Sequence, residues 1–167
     1  MFVPFNDLPG SSRIWIYQSN RKFNSEETII ISEVLSTFTQ EWNAHGVPLR
    51  SSFDIRFGQF IILGADEQHN AASGCSIDTS TRTVKELSQR LGVDLFDRAQ
   101  VAFKNGEDVM TLSIGQLKNK YQEGVWGEAT PVFNNLIGTK DGLEKEWILP
   151  AGLTWLKRYF GRETVAG

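Results

Sequence analysis

The run Phe60-Ile61-Ile62-Leu63 constrains the fold more than any other stretch of this chain. Its continuous apolarity marks a strand buried on both faces, and hence a central one. The segment before it, Ser51 to Phe57, alternates instead: Phe53, Ile55 and Phe57 share one face, Asp54 and Arg56 the other, and Gly58 turns one strand into the next. Ile14-Trp15-Ile16-Tyr17 reads as a further strand upstream.

Helical periodicity fills the gaps between strands. Asn24-Ser25-Glu26-Glu27 looks like a helix start, with Ser25 as the cap and two carboxylates at the positive end of the helix dipole. Ile31, Val34, Leu35, Phe38 and Trp42 then form one apolar stripe, and Gly46 and Pro48 close it. A second helix is expected from near Ser80, with Val84, Leu87 and Leu91 inward and Gly92 at its end. Val101–Phe103 and Val109–Ile114 flank Asn105-Gly106, a dipeptide suited to a type I′ hairpin turn with φ > 0 at both central residues. A short helix at about 115–122 follows.

The order β-α-β-β-α-β-β-α predicts an α+β fold. It would be a split β-α-β arrangement, with a mostly antiparallel sheet of about five strands and helices packed on one face. Residues 124–147 are punctuated by Gly124, Gly127, Pro131, Gly138 and Gly142 and read as an irregular segment with one strand at Val132–Ile137. Pro150 suits the first position of a last helix with Leu153, Leu156 and Phe160 inward.

With 167 residues and no internal repeat, a single domain is expected, and eleven Phe and five Trp supply the burial a folded core needs. Residues 1–83 carry 6 basic and 9 acidic side chains, and residues 84–167 carry 11 of each. Neither half is basic, so no nucleic-acid or anionic-lipid partner is expected. The small group Lys157, Arg158 and Arg162 reads as a solvated helix face. The opening residues lack a basic and apolar leader pattern, no apolar run approaches membrane-spanning length, and one cysteine excludes an internal disulfide framework. These features point to a cytoplasmic protein.

The polar stretch Asp66 to Asp78 follows the apolar strand and holds the only cysteine, Cys75, and one of two histidines, His69. Loops at the ends of strands are where many α/β proteins keep their chemistry. A cysteine near a helix N-terminus faces unpaired N–H groups and a positive dipole, which favour a thiolate. His69 or His45 would be its base, Asp66 or Asp78 would orient His69, and backbone N–H groups near Gly74 would meet an oxyanion. The alternative is structural: Cys75 as a small buried residue, Asp78 or Ser80 as a cap and Gly74 in a tight turn. Asn70, Ser73, Gly74 and Ser76 are then candidate ligand contacts, with His45 nearby and Trp126, in a Gly-rich loop, as a possible lid. There is no Cys-x-x-Cys and no His-x-x-x-His, so neither a metal nor a cofactor is expected.

Two stretches look like nucleotide-hydrolase motifs. Leu112-Ser113-Ile114-Gly115-Gln116 resembles an LSGGQ signature, and Ile61 to Glu67 resembles an apolar strand ending in Asp-Glu. No G-x-x-x-x-G-K-[ST] loop is present to cradle phosphates, Gly138-Thr139-Lys140 has the wrong order, and the two look-alikes run backwards along the chain. Three further stretches carry a family resemblance: Trp15-Ile16-Tyr17-Gln18-Ser19, Trp42-Asn43-Ala44-His45-Gly46 and Asn70 to Asp78. With these the chain resembles a small family of uncharacterised bacterial proteins often labelled "ABC transporter ATPase". The resemblance implies the label and no mechanism, and the residues contradict ATPase chemistry. The expected function is therefore a module that binds a small molecule or a protein partner around the Cys75 loop. A cysteine-dependent enzyme and an accessory subunit of a larger, transport-related assembly are the alternatives.

Overall fold

The computed structural model describes residues 1–160, so Arg162 lies outside the described residues. The chain divides into two compact units, Met1–Asp97 with Asn135–Glu144, and Arg98–Asn134 with the chain from Lys145. The fold is α+β and its main sheets are antiparallel. The strands do not form one sheet of five: they divide into a three-stranded and a four-stranded sheet, with a two-residue hairpin besides.

In the first unit, β1 (Arg13–Gln18), β4 (Arg50–Arg56) and β5 (Phe60–Asp66) pair in the order β1-β5-β4. Every residue of β5 is buried, as its unbroken apolar run requires. The register sets Trp15 and Phe53 on either side of Leu63, and Tyr17 and Ile55 on either side of Ile61. These side chains form the face on which helices α1 (Ser25–Glu41) and α2 (Gly74–Leu91) lie, through Ile31, Leu35, Val84 and Leu87. The opposite face is covered by the N-terminal segment. A Cβ on Gly64 would stand 2.7 Å from Leu8 Cδ1 and 3.5 Å from Phe5, so this glycine admits the close approach of that segment. Lys140 anchors it further, its Nζ donating to the carbonyls of Leu8 (2.7 Å) and Asn6 (3.1 Å). Phe57 leaves the alternating strand face: it takes φ 55° beside Gly58 at 59° in the β4–β5 turn.

Helix α1 is capped by Asn24 and not by Ser25. The Asn24 side chain accepts from the Glu27 N–H (2.8 Å) and the Glu27 carboxylate accepts from the Asn24 N–H (2.9 Å), a reciprocal capping box. Arg21 grips the same carboxylate through two 2.8 Å bonds. Those bonds, and the Asn24 N–H after them, hold the Glu27 carboxyl down at about 2. A carboxyl whose folded value lies below its unfolded one contributes stability that is complete above the unfolded value, near 4.5, and lost as the pH falls through about 2. Glu27→Gln keeps an acceptor for the cap and removes the charge. It is expected to cost about 1 kcal/mol or less at pH 7, since Arg21 is half-exposed and screened. The gap between wild type and variant in urea unfolding should close between about pH 4.5 and pH 2.

The second unit is built on β6 (Gln100–Asn105), β7 (Asp108–Ser113), β8 (Pro131–Phe133) and β9 (Ile148–Pro150), ordered β7-β6-β8-β9, with helix α3 (Leu117–Gln122). The β6–β7 turn sits one residue later than the Asn-Gly pair predicts. Asn105 still pairs with Asp108, and only Gly106 of the connecting residues has positive φ, at 64°. The LSGGQ-like stretch is the end of β7 running into a 3-10 turn, Ile114–Gln116, where Gln116 accepts from the Ser113 N–H at 3.0 Å.

Two expectations for the C-terminal third are corrected. The segment 124–147 is not irregular throughout: β8 is shorter than predicted, and helix α4 (Lys140–Glu146) runs through Gly142. That glycine is a packing residue and not a breaker, since a Cβ there would stand 2.8 Å from Ile137 Cγ2. Pro150 ends a strand, and two 3-10 segments, Ala151–Leu153 and Trp155–Tyr159, replace the last helix. Leu156 is fully buried as expected, but Leu153 is 72% exposed because the short turns break the helical period.

Candidate functional site

Trp42 organises one corner of the first unit. Helix α1 ends at Glu41, and Trp42 follows as its C-cap, 3% exposed. Its ring packs edge-on to Trp15 at 5.6 Å between centroids and against Phe38 at 5.0 Å. Its indole N–H donates to the Ser76 carbonyl at 2.9 Å, which ties the end of α1 to the first turn of α2. The chain then makes a two-residue hairpin, β2 (Asn43–Ala44) with β3 (Val47–Pro48), whose connecting residues are His45 at φ 54° and Gly46 at φ 76°. A hairpin of this length matches strand twist with both turn residues left-handed. Trp42-x-x-His45-Gly46 is thus a helix stop followed by a turn, and His45 is exposed at the tip and not at a helix end.

The loop 67–73 is held by its own acids. The Asp66 carboxylate accepts from the Gln68 N–H (3.1 Å) and the Glu67 carboxylate from the Ala72 N–H (2.8 Å). Asn70 Nδ2 donates to the Val47 carbonyl at 2.9 Å, joining loop to hairpin. Helix α2 then begins at Gly74, several residues before the predicted start near Ser80. Its cap is Ser73, whose hydroxyl accepts from the Ser76 N–H (3.1 Å) while the Ser76 hydroxyl accepts from the Ser73 N–H (2.7 Å). Neither Asp78 nor Ser80 caps the helix. Cys75 is the second helical residue and is exposed, which overturns its reading as a small buried side chain.

These elements enclose an open depression of about 450 Å³. It is lined by Phe38, Glu41, Trp42, Asn43, His45 and Gly46 from the end of α1 and the hairpin, and by Ser73, Cys75, Ser76 and Thr79 from the start of α2. The three stretches Trp15–Ser19, Trp42–Gly46 and Asn70–Asp78 therefore meet in space, through the Trp15–Trp42 and Trp42–Ser76 contacts.

No family model, no curated protein and no solved structure matches this chain. The geometry of the depression therefore stands alone.

Of the expected site residues, the depression brings together Cys75, His45, Ser73 and Ser76. His69 and Asp78 are exposed and do not line it, and Asn70 and Gly74 stand outside the lining. Trp126 is not a lid. It is 3% exposed in its own unit, its N–H donates to the Leu117 carbonyl at 2.9 Å, and its ring packs with Phe103, Tyr121, Tyr159 and Phe160. Sequence alone does not single out Glu41, Asn43 and Thr79. The first two flank Trp42. Thr79 lies one turn past Cys75 and donates to its carbonyl at 2.9 Å, a relation visible once the helix is known to begin at Gly74. Among the described residues, no group of three or more His, Cys, Asp or Glu is placed to hold a metal ion, and no helix is long and apolar enough to cross a membrane.

Proposed function

We propose that this protein is a cytoplasmic binding module whose ligand is a small molecule held in the depression between the end of α1, the β2–β3 hairpin and the start of α2. One observation carries the reading. Two stretches distant in sequence, 38–48 and 70–79, are pinned to each other by specific bonds and leave between them a depression lined by aromatic and polar side chains. Ligand sites of this size combine an apolar base with a few fixed polar groups. A lone exposed thiol is also at home in a reducing compartment. Cys75 makes the site measurable, because alkylation by iodoacetamide reports on a single residue. A thermal-shift screen is expected to yield compounds that stabilise the protein and slow Cys75 alkylation in the native state. Stabilising compounds that leave the alkylation rate unchanged would place binding elsewhere.

A second reading draws support from Cys75 and His45 lining the same depression, with the sulfur exposed in the first turn of α2. In it Cys75 is a nucleophile and His45, in place of His69, its base. Native alkylation measured against pH separates the two. An apparent pKa well below the ~8.5 of a free thiol, moved by His45→Gln, would favour the enzyme. An ordinary profile insensitive to that change would leave the binding module.

A further inference from the structure

Among the residues lining the depression one side chain is formally charged with histidine neutral: Glu41. It forms no ion pair among the described residues and is exposed at the last turn of α1, beside Phe38 and Trp42. The opposite wall is the start of α2. Its end carries only a partial positive charge, about half a unit, and its cap is satisfied internally by the reciprocal Ser73–Ser76 bonds. The full charge of the carboxylate outweighs it, so the potential in the depression favours a cation near Glu41. Asn43 cannot reverse this, since its amide is turned to its own segment: Nδ2 donates to the Glu41 carbonyl at 3.2 Å and Oδ1 accepts from the Gly46 N–H at 3.3 Å.

We infer that the depression selects small organic ammonium compounds with an apolar body, the ammonium at Glu41 and the body against Phe38. This rests on the depression being the binding site and adds its charge preference. Carboxylate–ammonium pairing supplies the selectivity and aromatic contact the residence.

The test uses three probes with the same phenethyl body and different head groups, phenethylamine, 2-phenylethanol and 3-phenylpropionate, titrated into the intact protein. Their binding is read from Cys75 protection against iodoacetamide and from amide shifts of residues 41–46 and 73–79. Phenethylamine is expected to bind most tightly and 3-phenylpropionate most weakly. Glu41→Gln should weaken the amine by about fivefold and leave the alcohol unchanged, and added salt should act as that substitution does. Equal or tighter binding of the acid, or an amine affinity untouched by Glu41→Gln, overturns the charge preference while leaving the depression as a site. No probe shifting those amides up to saturating concentration overturns both.

Discussion

Trp126→Ala is expected to cost roughly 3–5 kcal/mol, the range for emptying a fully buried tryptophan site. The side chain sits at the centre of its unit's core, where four aromatic rings lie within 5.3–5.7 Å of it, centroid to centroid. Val101, Leu112, Leu117 and Val132 complete the cluster. The truncation leaves a cavity and removes the indole donor from the Leu117 carbonyl. Trp126→Phe separates the two losses: it retains most of the ring packing, removes the donor, and should cost about 1–3 kcal/mol. Hydrogen exchange at the β6 amides reads both, with about two to four orders of magnitude of protection lost in the alanine variant. A loss below tenfold would mean that Trp126 does not hold this core.

Trp42→Ala is expected to have a comparable effect on the first unit, again roughly 3–5 kcal/mol, with a consequence at the candidate site that Trp126 lacks. Trp42 packs with Trp15 and Phe38, and with Ala44, Leu49 and Ala65 forms a small core cluster. Its N–H bond to the Ser76 carbonyl joins the end of α1 to the start of α2. Trp42→Phe keeps an aromatic ring and removes that bond, at about 1–3 kcal/mol. Cys75 sits one residue from the bonded carbonyl, so its alkylation rate in the folded Trp42→Phe variant should differ from that of the wild type. An unchanged rate, with stability lowered as expected, would show that the bond serves stability alone.

Much of the first unit was legible as pattern. The unbroken run at Phe60–Leu63 marks the central strand, and the stripe from Ile31 to Leu35 is the buried face of α1. The boundaries were less legible. Asn24 displaces Ser25 as a cap because Glu27 stands at the position that completes a capping box. Ser73-Gly74-Cys75-Ser76 is hard to read as a helix start because serine replaces the usual Glu or Gln at its last position. The helix that starts there holds Cys75 in its first turn, exposed.

Local sequence determined the α+β class, the central strand and the two main helices, because periodicity and turn chemistry act over a few residues. Tertiary structure alone decided that the strands divide between two sheets, that Trp126 is core and not lid, and that His45 rather than His69 lines the depression with Cys75. These outcomes depend on which distant surfaces bury each other and which distant hydrogen-bonding groups meet. Trp42 is the plainest case: sequence marks it as the last residue of an apolar stripe, while only the fold supplies the Ser76 carbonyl that its N–H requires.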